Sequence, residues 1–381
     1  MKQELAAIEL RYLVEEFQVL VDSRIDKIYQ PEKDELLFQL YQRGQGKRVL
    51  RVLPGRFIYL TTCKSESPQK PFGYCVFLRK YLNGARLLSI SQAGFERIVK
   101  LVFDTKRGDV IKRYHLYIEL FGKGNAILCD EKDIILSPLE TQVWKDRVVR
   151  AKEAYVFPKR GTDPKTIDER GLASALQASG ADIIVKALAL DFGLGGTYAE
   201  EACLLAGIDK GGKPASVASQ PKQVKQLLAA ITALFSHALA PCIVRKDGEV
   251  VDIVPFPLRR YHGLETASFD TYNAAMDMVL TGKTISEKKE AKQKTASTAA
   301  TKQQAIIDAQ SKQLERMRQE TEASQRVGEM IYEHYHLVEE ILREIRKARE
   351  KYSWKDIREK LKGHKIVKDV NEKEGTVTIE L

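Results

Sequence analysis

Apolar residues in the first 140 positions follow two alternating patterns. Over 4–20 and again over 73–82 they recur at the three- and four-residue spacing of amphipathic helices. Elsewhere, short apolar runs are separated by turn-forming glycine and proline. Strands are predicted at about 24–30, 35–41, 48–53, 56–62, 86–92, 97–103, 114–120, 126–130 and 133–136. Consecutive short strands with few helices predict an α+β fold, in which helices pack on an antiparallel sheet or β-sandwich.

Residues 166–238 follow a helical pattern that glycines interrupt, and a polar linker at 210–221 precedes the last helix. Two further strands, at 242–246 and 250–254, flank Asp247-Gly248, a dipeptide typical of a hairpin turn. We therefore expect the chain to return to the sheet domain after a helical insertion. The predicted domains are 1–165, the helical module 166–238, the return 239–280 and a C-terminal part 281–381.

Residues 286–352 contain neither proline nor a cluster of turn formers. One continuous helix of that length would extend for roughly 100 Å. Apolar residues at seven-residue spacing, among them Ile331, Val338 and Ile345, favour a coiled-coil arm in the second half, whereas the polar first half suits a solvated single helix. An antiparallel partner is missing and 375–381 resembles a strand just begun. We therefore expect an N-terminal fragment, or a partner helix from a second chain, as in a dimer.

The chain carries 62 Lys and Arg against 52 Asp and Glu, a formal net charge of +10. A basic excess favours polyanionic partners, chiefly nucleic acid, although a merely solubilising charge explains it equally well. Cations outnumber acids within 138–160, which predicts either a surface for RNA phosphates or a solvated loop. The candidate cations are Lys145, Arg147, Arg150, Lys152, Lys159 and Arg160.

A glycine-rich turn at 191–196 precedes a predicted helix. Thr197 is expected to cap that helix, with Glu200 completing a capping box. The backbone N–H groups of Gly193, Gly195 and Gly196 would then be available to RNA phosphates, as at other helix N-termini. A tight turn between packed helices explains the same glycines equally well, and both interpretations stay open.

Several functions lack support in the sequence. Its apolar runs are too short for a transmembrane helix, and the N-terminus does not resemble a signal peptide. The five cysteines are scattered without a C-x-x-C pair, which argues against disulfides and structural zinc. Neither a nucleotide-binding loop nor a nucleophile elbow is present. These patterns predict a reduced, cytoplasmic protein without a recognisable catalytic, metal or cofactor site.

Four segments in this order resemble the NFACT family. They are M-K-Q-E-L-A-A-I-E-L at 1–10, P-F-G-Y-C-V-F-L-R-K-Y-L at 71–82, G-F-E-R-I-V at 94–99 and I-E-L-F-G-K-G-N-A-I-L at 118–128. Each motif alone is weak, but the ordered set is specific, and a glycine-turn helical module followed by a long helix also fits. The resemblance covers nearly the whole chain.

The resemblance implies a fold and a function. The N-terminal domain would be similar to formamidopyrimidine-DNA glycosylases, with a helix–hairpin–helix insertion and a coiled coil whose tip contacts a ribosomal subunit. Members bind large ribosomal subunits that retain peptidyl-tRNA, contact rRNA, and recruit tRNA, alanyl-tRNA among them, for untemplated tail addition at the C-terminus. Because the ribosome performs peptidyl transfer, the resemblance implies a non-enzymatic factor that needs no cofactor.

By motif position, the family's residues linked to tRNA handling fall on Glu9, Glu96 and Arg97, and both acids are Glu where the family has Asp. Glu9 borders the buried face of the first helix, where a carboxylate needs a cation or an N–H partner. We therefore expect Glu9 and Glu96 to orient Arg97 toward tRNA. The alternative is a buried salt bridge that only fixes the helix on the sheet.

Two rival functions come from other classes. A DNA glycosylase of the related fold would need an N-terminal proline nucleophile followed by glutamate, but this chain has Lys2 and Gln3. A surface adhesin is suggested by bacterial relatives that are described as fibronectin-binding, although no signal peptide is recognisable here. Neither rival accounts for the residues as well as an RNA-binding role does.

Overall fold

The protein forms two compact units, Met1–Glu287 and Lys288–Leu381. The computed structural model describes residues 2–63, 68–158 and 161–381, with the backbone alone given at 107 and 284–301. Within these ranges, no helix is both long enough and apolar enough to cross a membrane.

The first unit is built on one large antiparallel sheet. Helix α1 (Ala7–Glu16) continues as a 3-10 turn at Phe17–Leu20, and α2 (Gly73–Leu82) separates two groups of strands. The strands are β1 (Arg24–Tyr29), β2 (Leu36–Gln42), β3 (Gly46–Leu53), β4 (Phe57–Thr61), β5 (Arg86–Gln92), β6 (Ile98–Arg107), β7 (Val110–Glu119), β8 (Asn125–Asp130) and β9 (Ile135–Pro138). They form a nine-stranded sheet in the order β4-β3-β2-β1-β5-β6-β7-β8-β9. The predicted α+β fold with an antiparallel sheet is confirmed.

Strand β8 and the second half of β7 bury both of their faces, since successive side chains of a strand point to opposite sides of the sheet. In β7, Leu116 and Ile118 belong to the main core, together with the apolar face of α1. Tyr117, which lies between them, belongs to a second, smaller core with Ile127 and Tyr155. The loop after β9 covers this second face and carries the short strands β10 (Gln142–Val143) and β11 (Val148–Val149).

The rest of the first unit packs against the same main core. Its helices are α3 (Glu169–Ala178), α4 (Ile184–Leu190), α5 (Gly195–Ala206), α6 (Pro214–Ala218) and α7 (Pro221–Ser236). The predicted hairpin follows as β12 (Cys242–Lys246) and β13 (Glu249–Val254). With β14 (Glu265–Ser268) and after a 3-10 turn at Arg259–Tyr261, these strands form a separate three-stranded sheet. The hairpin thus shares the core of the first sheet without extending that sheet.

Strands β1–β4 are joined to strands β5–β9 in more than one place. Strand β1 meets β5 at one register pair, Arg24 with Arg86, and the Ile25 N–H donates to the Ala85 carbonyl at 2.9 Å. A separate connection is a close approach of two turns, in which the Gly55 N–H donates to the Glu119 carbonyl at 3.0 Å. A Cβ added at Gly124 would lie 1.9 Å from the Gly55 nitrogen, so no side chain fits between the turns. We call this approach the glycine contact.

The second unit contains helices and a hairpin. Helix α8 (Tyr272–Glu333) begins in the first unit, and α9 (Tyr335–Arg349), α10 (Trp354–Leu361), β15 (Val367–Asn371) and β16 (Thr376–Ile379) follow. The expected continuous helix over 286–352 instead begins earlier and is interrupted at His334, which leaves the helical region with φ −104° and ψ 24°. The strand expected at the end of the sequence is present, but it pairs with β15 of this chain.

The glycine contact predicts a large difference between two glycine-to-alanine substitutions. Gly124→Ala and Gly108→Ala both place alanine at positive φ, which costs roughly 1–2 kcal/mol of unfolding free energy. Only Gly124→Ala meets backbone atoms, because nothing lies within 4 Å of a Cβ at Gly108. Overpacking should therefore cost a further ~1–3 kcal/mol at Gly124 alone. Urea unfolding of both variants checks this, and equal losses would contradict the close approach.

Candidate nucleic-acid interface

A cleft of about 600 Å³ opens where several parts of the first unit meet. Among these parts are residues 2–6, which we call the N-terminal segment, the turn between β5 and β6, the glycine turn before α5, and strand β13. The predicted residues that line this cleft are Glu9, Glu96, Arg97, Gly193, Gly195 and Gly196. The structure therefore brings together candidates that were taken from separate motifs.

Arg97 immediately precedes β6 and lines the cleft with a side chain that is 27% exposed. Its Nη1 lies 2.6 Å from Glu4 Oε1 and donates to the Leu5 carbonyl at 3.4 Å. The Arg97 carbonyl accepts from the Leu120 N–H at 2.8 Å, which fixes the main chain. A guanidinium held in this way at the wall of an open cleft can form charge-assisted hydrogen bonds with an anion.

The turn that carries Glu96 is fastened to α1. Gln92 Nε2 donates to the Ala7 carbonyl and to the Glu96 carbonyl, each at 2.9 Å. The Glu96 N–H donates to the Ala93 carbonyl at 3.3 Å. The position of this turn relative to α1 is therefore set by main-chain and amide contacts.

Glu9 is fully buried, with 0% of its surface exposed. Its Oε2 accepts from the Ala6 N–H at 2.8 Å, which caps the beginning of α1. Its Oε1 accepts from Lys2 Nζ at 2.5 Å and from Tyr198 Oη at 3.0 Å. Burial raises the pKa of Glu9, against the lowering effect of the Lys2 ammonium. Glu9 thus makes its contacts inside the protein.

Lys2 links Glu9 to strand β13. Its Nζ also donates to Asp252 Oδ1 and to the Ile253 carbonyl, each at 2.9 Å, and its side chain is only 6% exposed. Tyr261 Oη donates to the other Asp252 oxygen at 2.6 Å. Burial opposes the charged form of Lys2, but the carboxylates of Glu9 and Asp252 outweigh burial and raise the pKa of Lys2. We call Lys2, Glu9 and Asp252 the Lys2 cluster.

The expected pairing of Glu9 with Arg97 is wrong. Lys2, not Arg97, is the cation on Glu9, and Arg97 pairs with Glu4 of the N-terminal segment. The physical reason is that Glu9 points from α1 into the core, where the N-terminal segment folds back and delivers a cation only seven positions away in sequence. Among the cations, the family motif pointed to Arg97 alone.

The glycine turn takes the conformation that its residues favour. Gly193 and Gly195 have φ of +65° and +75°, which side chains rarely adopt. Helix α5 begins at Gly195 with Leu194 as its N-cap, so the predicted cap at Thr197 is wrong and Thr197 lies inside the first turn. Gly195, Gly196 and Thr197, in the first turn of α5, all line the cleft.

Arg147 departs from the exposed position expected for a phosphate contact. It is only 8% exposed, and its guanidinium donates to the buried carboxylate of Glu119. Tyr155 Oη donates to the same carboxylate at 2.9 Å, and the Trp144 ring centre lies 5.5 Å from Arg147 Cζ. Removing this guanidinium from Glu119 would leave a buried charge unpaired, which is costly. Arg147, Glu119 and Trp144 line a second cleft of about 880 Å³.

The other cations of the 138–160 patch are exposed where the structure describes them. Lys145 and Lys152 are exposed, and the exposed Arg150 pairs with Glu153 at 2.8 Å. Lys159 and Arg160 lie outside the described residues. Phosphate binding by these side chains stays a prediction.

Sequence reasoning missed Lys2, Asp252 and Tyr198, which hold the buried carboxylate of Glu9. A buried acid signals that a cation is near, but the sequence alone does not identify which of 62 basic residues supplies it. In the part of the chain that the structure describes, no cluster of three or more His, Cys, Asp and Glu could hold a metal ion.

The comparisons with known proteins agree on one family. A model of the NFACT N-terminal and middle domains matches residues 7–381. An archaeal Rqc2 homolog from Methanocaldococcus jannaschii is 32% identical over 405 residues, covering 100% of this chain and 58% of the relative. The Rqc2 homolog RqcH from Bacillus subtilis is 26% identical, covering 69% of this chain and 46% of that protein. Human NEMF, a ribosome quality control complex subunit, is 29% identical over 45% of this chain and 16% of its own length. The chain therefore spans little more than half of these relatives at most.

Two solved structures share the fold. The fibrinogen binding protein from Staphylococcus aureus superposes with a TM-score of 0.60 at 21% identity, covering 71% of this chain and 97% of that one. The N-terminal part of the fibronectin/fibrinogen-binding protein from Streptococcus suis gives 0.59 at 22% identity, covering 73% and 100%. Such low identities show a common fold alone.

The Lys2 cluster predicts an unusually strong effect for a substitution at the second residue. Lys2→Met leaves two buried carboxylates without their cation, so the free energy of unfolding should fall by about 3–5 kcal/mol. Lys186→Met is the matched control, because it removes a lysine from an exposed pair with Asp182 and should change stability little. Urea or thermal unfolding at pH 7 measures both, and a Lys2→Met variant as stable as the control would contradict the buried arrangement.

Proposed function

The chain belongs to the NFACT family, and on that premise we propose that it acts in ribosome-associated quality control. It binds large ribosomal subunits that carry stalled peptidyl-tRNA, contacts rRNA, and positions tRNA for untemplated addition of a C-terminal tail of the alanine type. Relatives named as quality control factors of the ribosome support this proposal, one of them along the whole chain. The factor itself is proposed to be non-catalytic and cytoplasmic.

The observation that carries the proposal is the position of Arg97 in the cleft. Its partly exposed side chain lines the same cleft as the first turn of α5, and the dipole of a helix favours an anion at its N-terminus. A cation and a helix N-terminus that line the same cleft suit binding of a phosphodiester backbone. The net charge of +10 adds a long-range attraction for RNA.

Finer features of the fold are part of the proposal. We assign the first unit to a glycosylase-like fold and the helices α3–α7 to a helix–hairpin–helix module, whose glycine turn contacts tRNA backbone. Helices α8 and α9 are assigned to a coiled-coil arm, which pairs with a further helix of a longer protein or of a second copy. The half-exposed apolar residues Met317, Ile331 and Tyr335 support this assignment, because such positions favour a covering helix.

A glycosylase reaction fits the site poorly. Lys2 Nζ is the amine nearest to the N-terminus whose contacts the structure describes. It forms ion pairs with two carboxylates and has a raised pKa, so it stays protonated and is not a nucleophile at neutral pH. This chemistry favours a factor that binds RNA without reacting with it.

Arg97→Ala tests the cleft as an RNA site. Loss of one charge-assisted contact should weaken binding of an alanine-tRNA transcript by roughly tenfold or more, at about 1.5–3 kcal/mol per such bond. The slope of log affinity against log salt should become shallower by about one phosphate contact. Filter binding across a salt series measures both quantities.

Arg86→Ala is the matched control for that experiment. Arg86 is likewise a partly exposed arginine in an ion pair, with Asp22 at 2.7 Å, but it lies outside the cleft. Thermal unfolding should show both variants close to the wild type. If the two substitutions weaken tRNA binding equally, or if neither does, the cleft is not the RNA site.

Association with the ribosome is tested separately. The chain should co-sediment with purified large subunits that retain peptidyl-tRNA more than with empty large subunits, and raised salt should release it because phosphate contacts are screened. Equal pelleting with both kinds of subunit would contradict recognition of the stalled state.

A further inference from the structure

We propose that Lys2 is a positioning residue, which holds the N-terminal segment so that Arg97 faces the cleft in one orientation. The inference rests on the proposed binding of tRNA by Arg97 and adds a second residue to that function. Its basis is a chain of contacts that runs from the Lys2 cluster through the segment to the guanidinium.

The first step is the anchoring of one end of the segment. Lys2 Nζ reaches three acceptors on two separate elements, namely Glu9 of α1, Asp252 of β13 and the Ile253 carbonyl. With only 6% of the side chain exposed, these bonds form in a low-dielectric environment where charge pairs are strong. Lys2 is therefore held firmly by both elements.

The second step is the anchoring of the other end. The Leu5 N–H donates to the Arg56 carbonyl at 3.0 Å, and the Ala6 N–H donates to Glu9 Oε2 at 2.8 Å. Glu9 therefore takes part at both ends, since it also accepts from Lys2. Between these anchors, the segment has few ways to move without breaking a buried bond.

The third step is the transfer of this order to Arg97. Arg97 Nη1 forms an ion pair with Glu4 Oε1 at 2.6 Å and donates a hydrogen bond to the Leu5 carbonyl at 3.4 Å. Because a guanidinium is planar and rigid, two partners on one nitrogen restrict the orientation of the whole group. If the N-terminal segment shifts, Glu4 and the Leu5 carbonyl shift with it, and the guanidinium is no longer held in one orientation in the cleft.

This chain of contacts gives Glu9 a role that its burial otherwise precludes. A carboxylate with 0% exposure does not touch RNA directly. Acting through Lys2 and the segment, Glu9 can influence tRNA binding from inside the protein. Lys2 is then as much a part of the site as Glu9.

The test is a double-mutant cycle on the full 381-residue chain. Lys2→Met is made alone and in the Arg97→Ala background, with Lys186→Met as the control. Binding of an alanine-tRNA transcript to each variant is then measured across a salt series, at a temperature where the variant is folded. Alone, Lys2→Met should weaken binding about fivefold to tenfold and flatten the salt slope by up to one phosphate contact. In the Arg97→Ala background it should weaken binding no further, while its effect on the melting temperature persists.

A second substitution keeps the test decisive if Lys2→Met alone does not fold. The triple variant Lys2→Met, Glu9→Leu and Asp252→Asn replaces all three buried charges with neutral side chains, a change that folded proteins often tolerate. It should show the same loss of binding and the same dependence on Arg97, whereas Lys2→Arg should retain part of the binding. Unchanged binding, or equal weakening with and without Arg97, would overturn the positioning role. An Arg97→Ala variant that binds like the wild type would contradict the proposed function itself.

Discussion

The burial of charge beside the cleft is the constraint on which the site depends. Two carboxylates, Glu9 and Asp252, lie in the interior of the first unit, where a charge is tolerated only if it is paired and hydrogen-bonded. The ammonium of Lys2 meets this requirement, and in doing so it ties the beginning of the chain to α1 and to β13. The same interaction that stabilises the fold therefore also decides where the N-terminal segment lies and which groups face the cleft.

Local patterns in the sequence were sufficient for most of the first unit. The alternation of apolar and polar residues predicted the strands of the large sheet, and the helix expected at 73–82 is α2 with the same bounds. The reason is physical: strand periodicity and turn-forming glycines act over a few residues. The separate sheet of β12 to β14 was not foreseen, because strand partners distant in sequence are chosen by packing rather than by local pattern.

At the site, the sequence identified the right region and the wrong contacts. Glu96, Arg97 and the glycine turn do share one cleft, but the cation on Glu9 came from Lys2. A motif names the residues that matter without stating which atoms meet. Arg147 shows the same limit, since a cation in a polar stretch was pulled into the interior by Glu119 and Tyr155. Nothing in the sequence around Lys2 or Arg147 distinguishes a buried cation from an exposed one.

The glycine contact has a consequence for how the protein would respond to a ligand. Gly55 bonds to the Glu119 carbonyl, the next residue, Arg56, bonds to Leu5, and the Leu5 carbonyl accepts from Arg97. A series of hydrogen bonds thus connects the guanidinium to the seam, by which we mean the boundary between strands β1–β4 and strands β5–β9. Energetic coupling of this kind is reciprocal, so a bound polyanion that restrains Arg97 also restrains the seam. The bound ligand would then stabilise strands that it does not contact, and their backbone amides would exchange hydrogen more slowly.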